Sequence, residues 1–198
     1  MEPAKINYKI YQGSTFKETL RWESETKKYA TISNISRSGP CVITTAAAHD
    51  IPLNWRVRVT GVSGMKEINL TDDTAYYLVT DKTATTVTLQ QVNSSNYTAY
   101  TSGGVVSWNM PIPIDIYTAK MQIRETIESP DVIAELTTSN GGIIFDTVNY
   151  SITLNIAASI TTNFTFESAI YGLNLITITN QNIPFLRGSM SLVQEVVR

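Results

Sequence analysis

The chain has 198 residues, 42% of them hydrophobic and only 16% charged, with a formal net charge of −2. That is enough apolar material for one large or two small cores, with less charge than the quarter usual in globular proteins. Near-neutrality and dispersed basic residues, Lys27-Lys28 being the single doublet, argue against a non-specific nucleic-acid grip, and no run of about 18 apolar residues offers a membrane helix.

In chain order, alternating or β-branched runs bounded by turn residues predict strands at Asn7–Tyr11, Thr15–Trp22, Thr31–Ser36, Cys41–Thr45, Trp55–Val59, Tyr76–Thr80 and Thr86–Gln90. The second half predicts Ala119–Arg124, Val132–Leu136, Ile143–Asp146, Ser151–Ile156, Ile170–Thr177 and a last strand over Gly188–Val197. One helical turn is expected at Ser159–Asn163. Gly13, Ser38-Gly39-Pro40 and Asn140-Gly141-Gly142 break the runs, Ser102-Gly103-Gly104 reads as a further turn, and Asn180–Pro184 reads as a loop. The high Thr, Ser and Asn content suits pleated surfaces and turns rather than long helices. Strands recurring about every eight to twelve residues point to sandwiches or barrels, not βαβ units.

Residues 31–109 are Thr-rich and punctuated by glycine, and Met110-Pro111-Ile112-Pro113-Ile114 looks like an extended re-entry segment, since alternate prolines fix φ and remove donors. Two strands ahead of Thr31 are too few for a stable unit. The expected fold is therefore all-β: an antiparallel β-sandwich of residues 1–30 plus 110–198, with a small β-barrel domain, residues 31–109, inserted in a loop.

Candidate chemistry is thin. Cys41 and His49 are the only residues of their types, so an intramolecular disulfide, a cysteine-built zinc site and a His-rich metal site are all excluded. A Cys41–His49 nucleophile pair would need both groups within hydrogen-bond reach and a third to orient the base; a strand cysteine more often fills a core, and His49 falls at a turn where its ring bonds to backbone. Asp72-Asp73 with Asp81 offers carboxylates to a hard cation, but adjacent Asp residues in a turn also satisfy local donors and no EF-hand spacing is present. Glu125, Glu128, Asp131 and Glu135 read as a solvated edge rather than an acid/base pair. Neither Gly-Gly turn has the lysine and helix of a phosphate loop. No catalytic residue, metal or cofactor is expected. Tyr97, Tyr100 and Trp108, with Tyr76-Tyr77 earlier, could form a platform for sugar rings or a partner protein, or could fill the small core. Core filling is favoured for Tyr77 and Trp108; Tyr97 and Tyr100 stay open as a partner or glycan contact.

The middle segment carries a pattern of fixed turns: Pro40-Cys41-Val42-Ile43-Thr44-Thr45, then Trp55-Arg56-Val57-Arg58-Val59-Thr60-Gly61-Val62-Ser63-Gly64-Met65, Tyr77-Leu78-Val79, Thr85-Thr86-Val87-Thr88-Leu89 and Tyr97–Gly104. Over roughly 70 residues it resembles the small β-barrel of phage tail proteins that is similar to the first catalytic-cysteine half-domain of ubiquitin-activating enzymes. That resemblance implies a structural or binding role, with Cys41 no catalytic cysteine. The flanks, with Tyr11–Phe16, Leu20-Arg21-Trp22, Tyr117–Arg124, Ala134–Thr138, Gly141-Gly142-Ile143, Ile152–Ile156 and Gly188–Val197, resemble the N-terminal domain of phage baseplate upper proteins, which connect receptor-binding proteins to a tail.

Together these imply a non-enzymatic structural protein of a tailed-phage virion, an adaptor or connector at the tail, neck or baseplate. Its partners would be other virion proteins, including fibre subunits, in a symmetric assembly of many copies, with neither nucleic acid nor membrane bound. Met1-Glu2-Pro3-Ala4-Lys5 shows no signal-peptide pattern, so assembly in the host cytoplasm is expected. The alternatives are a capsid decoration (cement) protein, or a carbohydrate-binding module for host attachment through Tyr97 and Tyr100.

Overall fold

The computed structural model describes residues 2–194. It is all-β, with 52% strand and one short helix, α1 (Ala158–Thr161). In chain order the strands are β1 (Ala4–Lys5), β2 (Tyr8–Tyr11), β3 (Phe16–Arg21), β4 (Glu23–Ile35), β5 (Cys41–Thr45), β6 (Arg56–Ser63), β7 (Tyr77–Leu78), β8 (Asp81–Lys82) and β9 (Thr86–Leu89). They continue with β10 (Ser102–Pro111), β11 (Tyr117–Arg124), β12 (Ala134–Thr137), β13 (Ile143–Asp146), β14 (Ser151–Ile156), β15 (Ser168–Thr177) and β16 (Asn182–Val193). The strands group into two compact units, one of Trp22–Ile112 and one of Met1–Arg21 with Pro113–Arg198. Residues 22–30, most of them the start of β4, and residues 110–112, which strand counting places with the outer piece, fall in the middle unit.

The split unit holds two sheets. One has the order β1-β16-β15-β11-β12, with β2 also on β16; the other is β13-β14-β3. Alternation makes the core: Ala119, Met121 and Ile123 of β11, Leu173 and Leu175 of β15, and Ile152, Leu154 and Ile156 of β14 are buried. Tyr8 of β2 bridges the two sheets, its ring edge-on to Phe16 of β3 at 5.4 Å. Its hydroxyl is buried beside Tyr171, and burial pushes its pKa up to about 12. The purely antiparallel arrangement fails at one edge, where β1 and β2 both run parallel to β16, with Ala4 opposite Leu186 and Tyr8 opposite Met190. A period of two reveals which face is buried but says nothing of strand direction. Gly188 permits the close approach here, because a Cβ at this position would collide with the carbonyl oxygen of Ile6.

Asn180–Pro184 is only partly a loop. β16 starts at Asn182, six residues before the predicted start, and Pro184 pairs with Asn174 where the register shifts between Leu173 and Asn174. A bulge is a place where a strand tolerates proline. The part of the predicted last strand beyond Gln194 lies outside the described residues.

The middle unit is a seven-stranded sheet, order β7-β6-β10-β4-β5-β9-β8, curled into a half-barrel. Its core includes Ile43, Ile51, Trp55, Val59, Met65, Ile68, Val87, Leu89 and Val106, all fully buried. The Trp55 indole donates to the Asn109 carbonyl at 2.8 Å, which satisfies the polar atom of the bulkiest core side chain. Ser102-Gly103-Gly104 is not a free turn but the start of β10, an interior strand that pairs with both β4 and β6. Gly104 (φ +93°) lies near Gly61 (φ +74°), and the pairing keeps one register past them, with Gly103 opposite Val62 and Val105 opposite Thr60. The two neighbouring glycines let both strands hold a positive φ there, a conformation that other residues rarely adopt.

Candidate functional site

The two reactive side chains of the sequence are occupied separately. Cys41 is fully buried on β5, its Sγ 3.9 Å from the Ser36 carbonyl oxygen, and burial pushes its thiol pKa up. His49 Nε2 lies 3.1 Å from the Thr86 carbonyl oxygen, while Nδ1 accepts from the Ile51 N–H at 3.3 Å. Those partners define a neutral ring protonated on Nε2, and burial lowers its pKa. The ring bonds to backbone on both nitrogens, neither of them to the thiol.

The acidic residues behave as local ties. Asp72 accepts from the Thr74 N–H at 2.8 Å and its hydroxyl at 2.7 Å, which holds the carboxyl below the usual carboxylate range. Asp73 pairs with Arg58 at 3.1 Å, and Asp81 accepts from the Lys82 N–H at 2.9 Å. Glu135 on β12 is bound by Lys120 at 2.9 Å and Gln122 at 2.6 Å, and these contacts lower its pKa. Glu125, Glu128 and Asp131 are exposed around a turn that Arg124 holds by donating to the Ser129 and Pro130 carbonyls. Among the described residues, no group of three or more His, Cys, Asp or Glu side chains gathers as a metal site would.

The aromatics separate by exposure. Tyr77 is half-buried and donates its hydroxyl to Ile68 at 3.1 Å, while Trp108 is 5% exposed and its indole N–H has no hydrogen-bond partner. The Tyr100 hydroxyl, also half-buried, shares its proton between the carbonyls of Ile32 at 3.1 Å and Gly103 at 3.0 Å. Tyr97 is half-buried beside Tyr77, whose pKa is raised by burial and then by Tyr97. Of Tyr76, Tyr77, Tyr97, Tyr100 and Trp108, Tyr76 alone turns more than half its surface outward, at 51%.

Tyr76 stands over a groove of about 350 Å³ in the middle unit, bordered by Glu23, Lys27, Arg56, Arg58, Ser107 and Asn109, with neither Tyr97 nor Tyr100 in its lining. Its centre is an ion pair between Arg56 on β6 and Glu23 on β4. Nε reaches Oε1 at 3.0 Å and Nη2 reaches Oε2 at 2.8 Å, a bidentate fork that fixes the guanidinium plane. The Glu23 side chain is 9% exposed and the Arg56 side chain 41%, so one end of the pair is anchored in protein and the other faces the groove. Asn109 Nδ2 adds a bond to Glu23 Oε2 at 3.2 Å, and the Tyr76 ring centroid lies 5.1 Å from Arg56 Cζ. Arg58, two residues along the same strand, is held by the Asp72 carbonyl, by the Ala75 carbonyl at 3.0 Å and by Asp73.

No spacing rule announces this constellation, because its members come from strands far apart in sequence. The legible signal is Trp55-Arg56-Val57-Arg58-Val59: the valines are buried, so both arginines share the outer face of β6. No protein-family model matches the chain, and no curated protein matches it.

Proposed function

We propose that the protein is a non-enzymatic structural component of a tailed-phage virion, an adaptor or connector at the tail, neck or baseplate. In this reading the two sheets of the split unit form a β-sandwich that docks into the assembly, and the curled middle sheet is a small barrel carried as a loop insertion. The observation that carries the proposal is the bare edge of the three-stranded sheet. β13 is an outer strand of that sheet and presents Ile144 at 52% exposure, followed closely by Val148 at 77%. The opposite outer strand, β3, is protected by exposed Lys17 and Glu18, as edges of self-sufficient proteins are. An apolar edge left unprotected is suited to pairing with a strand or apolar surface of a neighbouring subunit, and repetition in a symmetric assembly multiplies a modest pairwise contact. Cryo-electron microscopy of intact virions carrying this chain tests the reading. Density at the tail, neck or baseplate with β13 against a neighbour is the expected result. Density on the capsid lattice would replace the adaptor with a decoration protein, and absence from the particle overturns the structural role.

A further inference from the structure

The groove under Tyr76 has a composition that edge-to-edge assembly does not call for. Its arginines are compensated in place, Arg56 by Glu23 and Arg58 by Asp73, and among the described residues no carboxylate pairs with Lys27 of the lining. A phosphate or a polyanion would meet two carboxylates there, and an acidic peptide would meet them as well. A neutral polyol meets what it needs: donors and acceptors side by side on planar, immobilised groups.

The guanidinium of Arg56 is locked by two bonds to Glu23 and by the aromatic ring, so it presents its outward N–H groups at no further entropic cost. The Asn109 amide and the Ser107 hydroxyl lie along β10 on the same outward-facing side, and Lys27 on β4 stands directly opposite Asn109. Tyr76, half exposed, supplies an aromatic surface on which the C–H face of a sugar ring can rest. The volume of about 350 Å³ lies at the small end of ligand clefts, a size for one or two rings rather than a long chain.

We propose that this groove is a saccharide-binding site that takes a neutral pyranose, its apolar face on Tyr76 and its hydroxyls on Arg56, Asn109, Ser107 and Lys27. The proposal is independent of the assembly reading and moves carbohydrate recognition away from Tyr97 and Tyr100, whose rings are half-buried and which do not border the groove.

Saturation-transfer NMR on the full chain with glucose, galactose, mannose, rhamnose, N-acetylglucosamine and N-acetylgalactosamine tests it. Transfer to the ring C–H protons of at least one sugar is expected. Tyr76→Phe should retain it, while Tyr76→Leu and Asn109→Ala should each weaken binding roughly tenfold. Circular dichroism confirms that the variants are folded, which is expected at a residue as exposed as Tyr76. Absence of transfer from every sugar on the panel overturns the proposal. So does binding that Tyr76→Leu leaves intact, and so does binding lost in Tyr97→Ala with Tyr76→Leu unaffected.

Discussion

Two glycines on neighbouring strands should respond to alanine in opposite directions. Gly172 on β15 lies opposite Arg187 and Gly188 on β16 lies opposite Tyr171, so the pair sits side by side in one sheet. Neither has a positive φ, and backbone strain drops out of the comparison. A Cβ at Gly172 meets nothing within 4 Å. Alanine there should be neutral or stabilise by about 0.5 kcal/mol, the usual gain over glycine inside a strand. At Gly188 the same atom would overlap the Ile6 carbonyl oxygen, come within 2.8 Å of the Ile6 carbonyl carbon and within 3.1 Å of Asn7 Oδ1. Relief requires the Ile6–Asn7 backbone to move. Three bonds hold that backbone: Ile6 N–H to the Arg187 carbonyl at 3.1 Å, the Tyr171 hydroxyl to the Ile6 carbonyl at 2.8 Å, and Ser189 N–H to Asn7 Oδ1 at 3.1 Å. Overpacking costs about 1–3 kcal/mol and each lost bond about 1 kcal/mol, so Gly188→Ala should destabilise by roughly 3 kcal/mol. For a unit of roughly a hundred residues that is a fall of about 10–20 °C in its melting temperature. Calorimetry on both variants, with hydrogen exchange of the amides in residues 4–11 to assign the affected unit, measures it. A Gly188→Ala protein that melts within about 2 °C of the parent, or that keeps those amides protected, would refute the reasoning.

Three further outcomes follow from the geometry. His49 has a folded-state pKa below its unfolded value, so the unfolded chain takes the proton first as pH falls; its contribution is complete above about pH 6.5 and is lost below it. Denaturation from about pH 7.5 to about pH 5.5 should therefore show a stability loss that is smaller in His49→Gln. Trp55→Phe removes the donor to the Asn109 carbonyl and leaves a cavity at a fully buried position, which should cost about 2–4 kcal/mol in denaturant titrations. Asn140 caps the β12–β13 turn, Oδ1 accepting from Thr137 N–H at 2.8 Å and Gly142 N–H at 2.9 Å while Nδ2 donates to the Glu135 carbonyl at 2.9 Å. Asn140→Ala should cost about 1–2 kcal/mol, and an unchanged unfolding midpoint would contradict that role.

What the sequence made legible follows from where burial alternates. β5, with its strictly alternating buried residues, and β14, with Ile152, Leu154 and Ile156 on one face, can be read to their end residues. The first half of β4, Glu23–Ala30, has no fully buried residue, so its pairing with β10 leaves no apolar period to detect. β10 was hidden for a different reason: Gly103-Gly104 looks like punctuation but lies inside a strand whose Val106 and Trp108 are buried. The candidate site was legible only in fragments. Tyr76 is legible as an aromatic and Arg56 as a member of the strand at Trp55–Val59, but their meeting with Glu23 and Asn109 depends on that same unseen β4–β10 pairing.

The parallel pairing of β2 with β16 also sets an order of events during synthesis. Tyr8 and Met190 are partners although some 180 residues lie between them. At about 5–20 residues per second, the first strands leave the ribosome roughly 10–40 s before their partner exists. The strands of Trp22–Ile112 have all their neighbours within that stretch and can close their own sheet in the interval. The middle unit should thus be folded while β2 still waits, with closure of the longest-range contacts as the last and slowest step. Stalled chains truncated before β16 should then protect amides of the middle unit while those of residues 8–11 exchange freely.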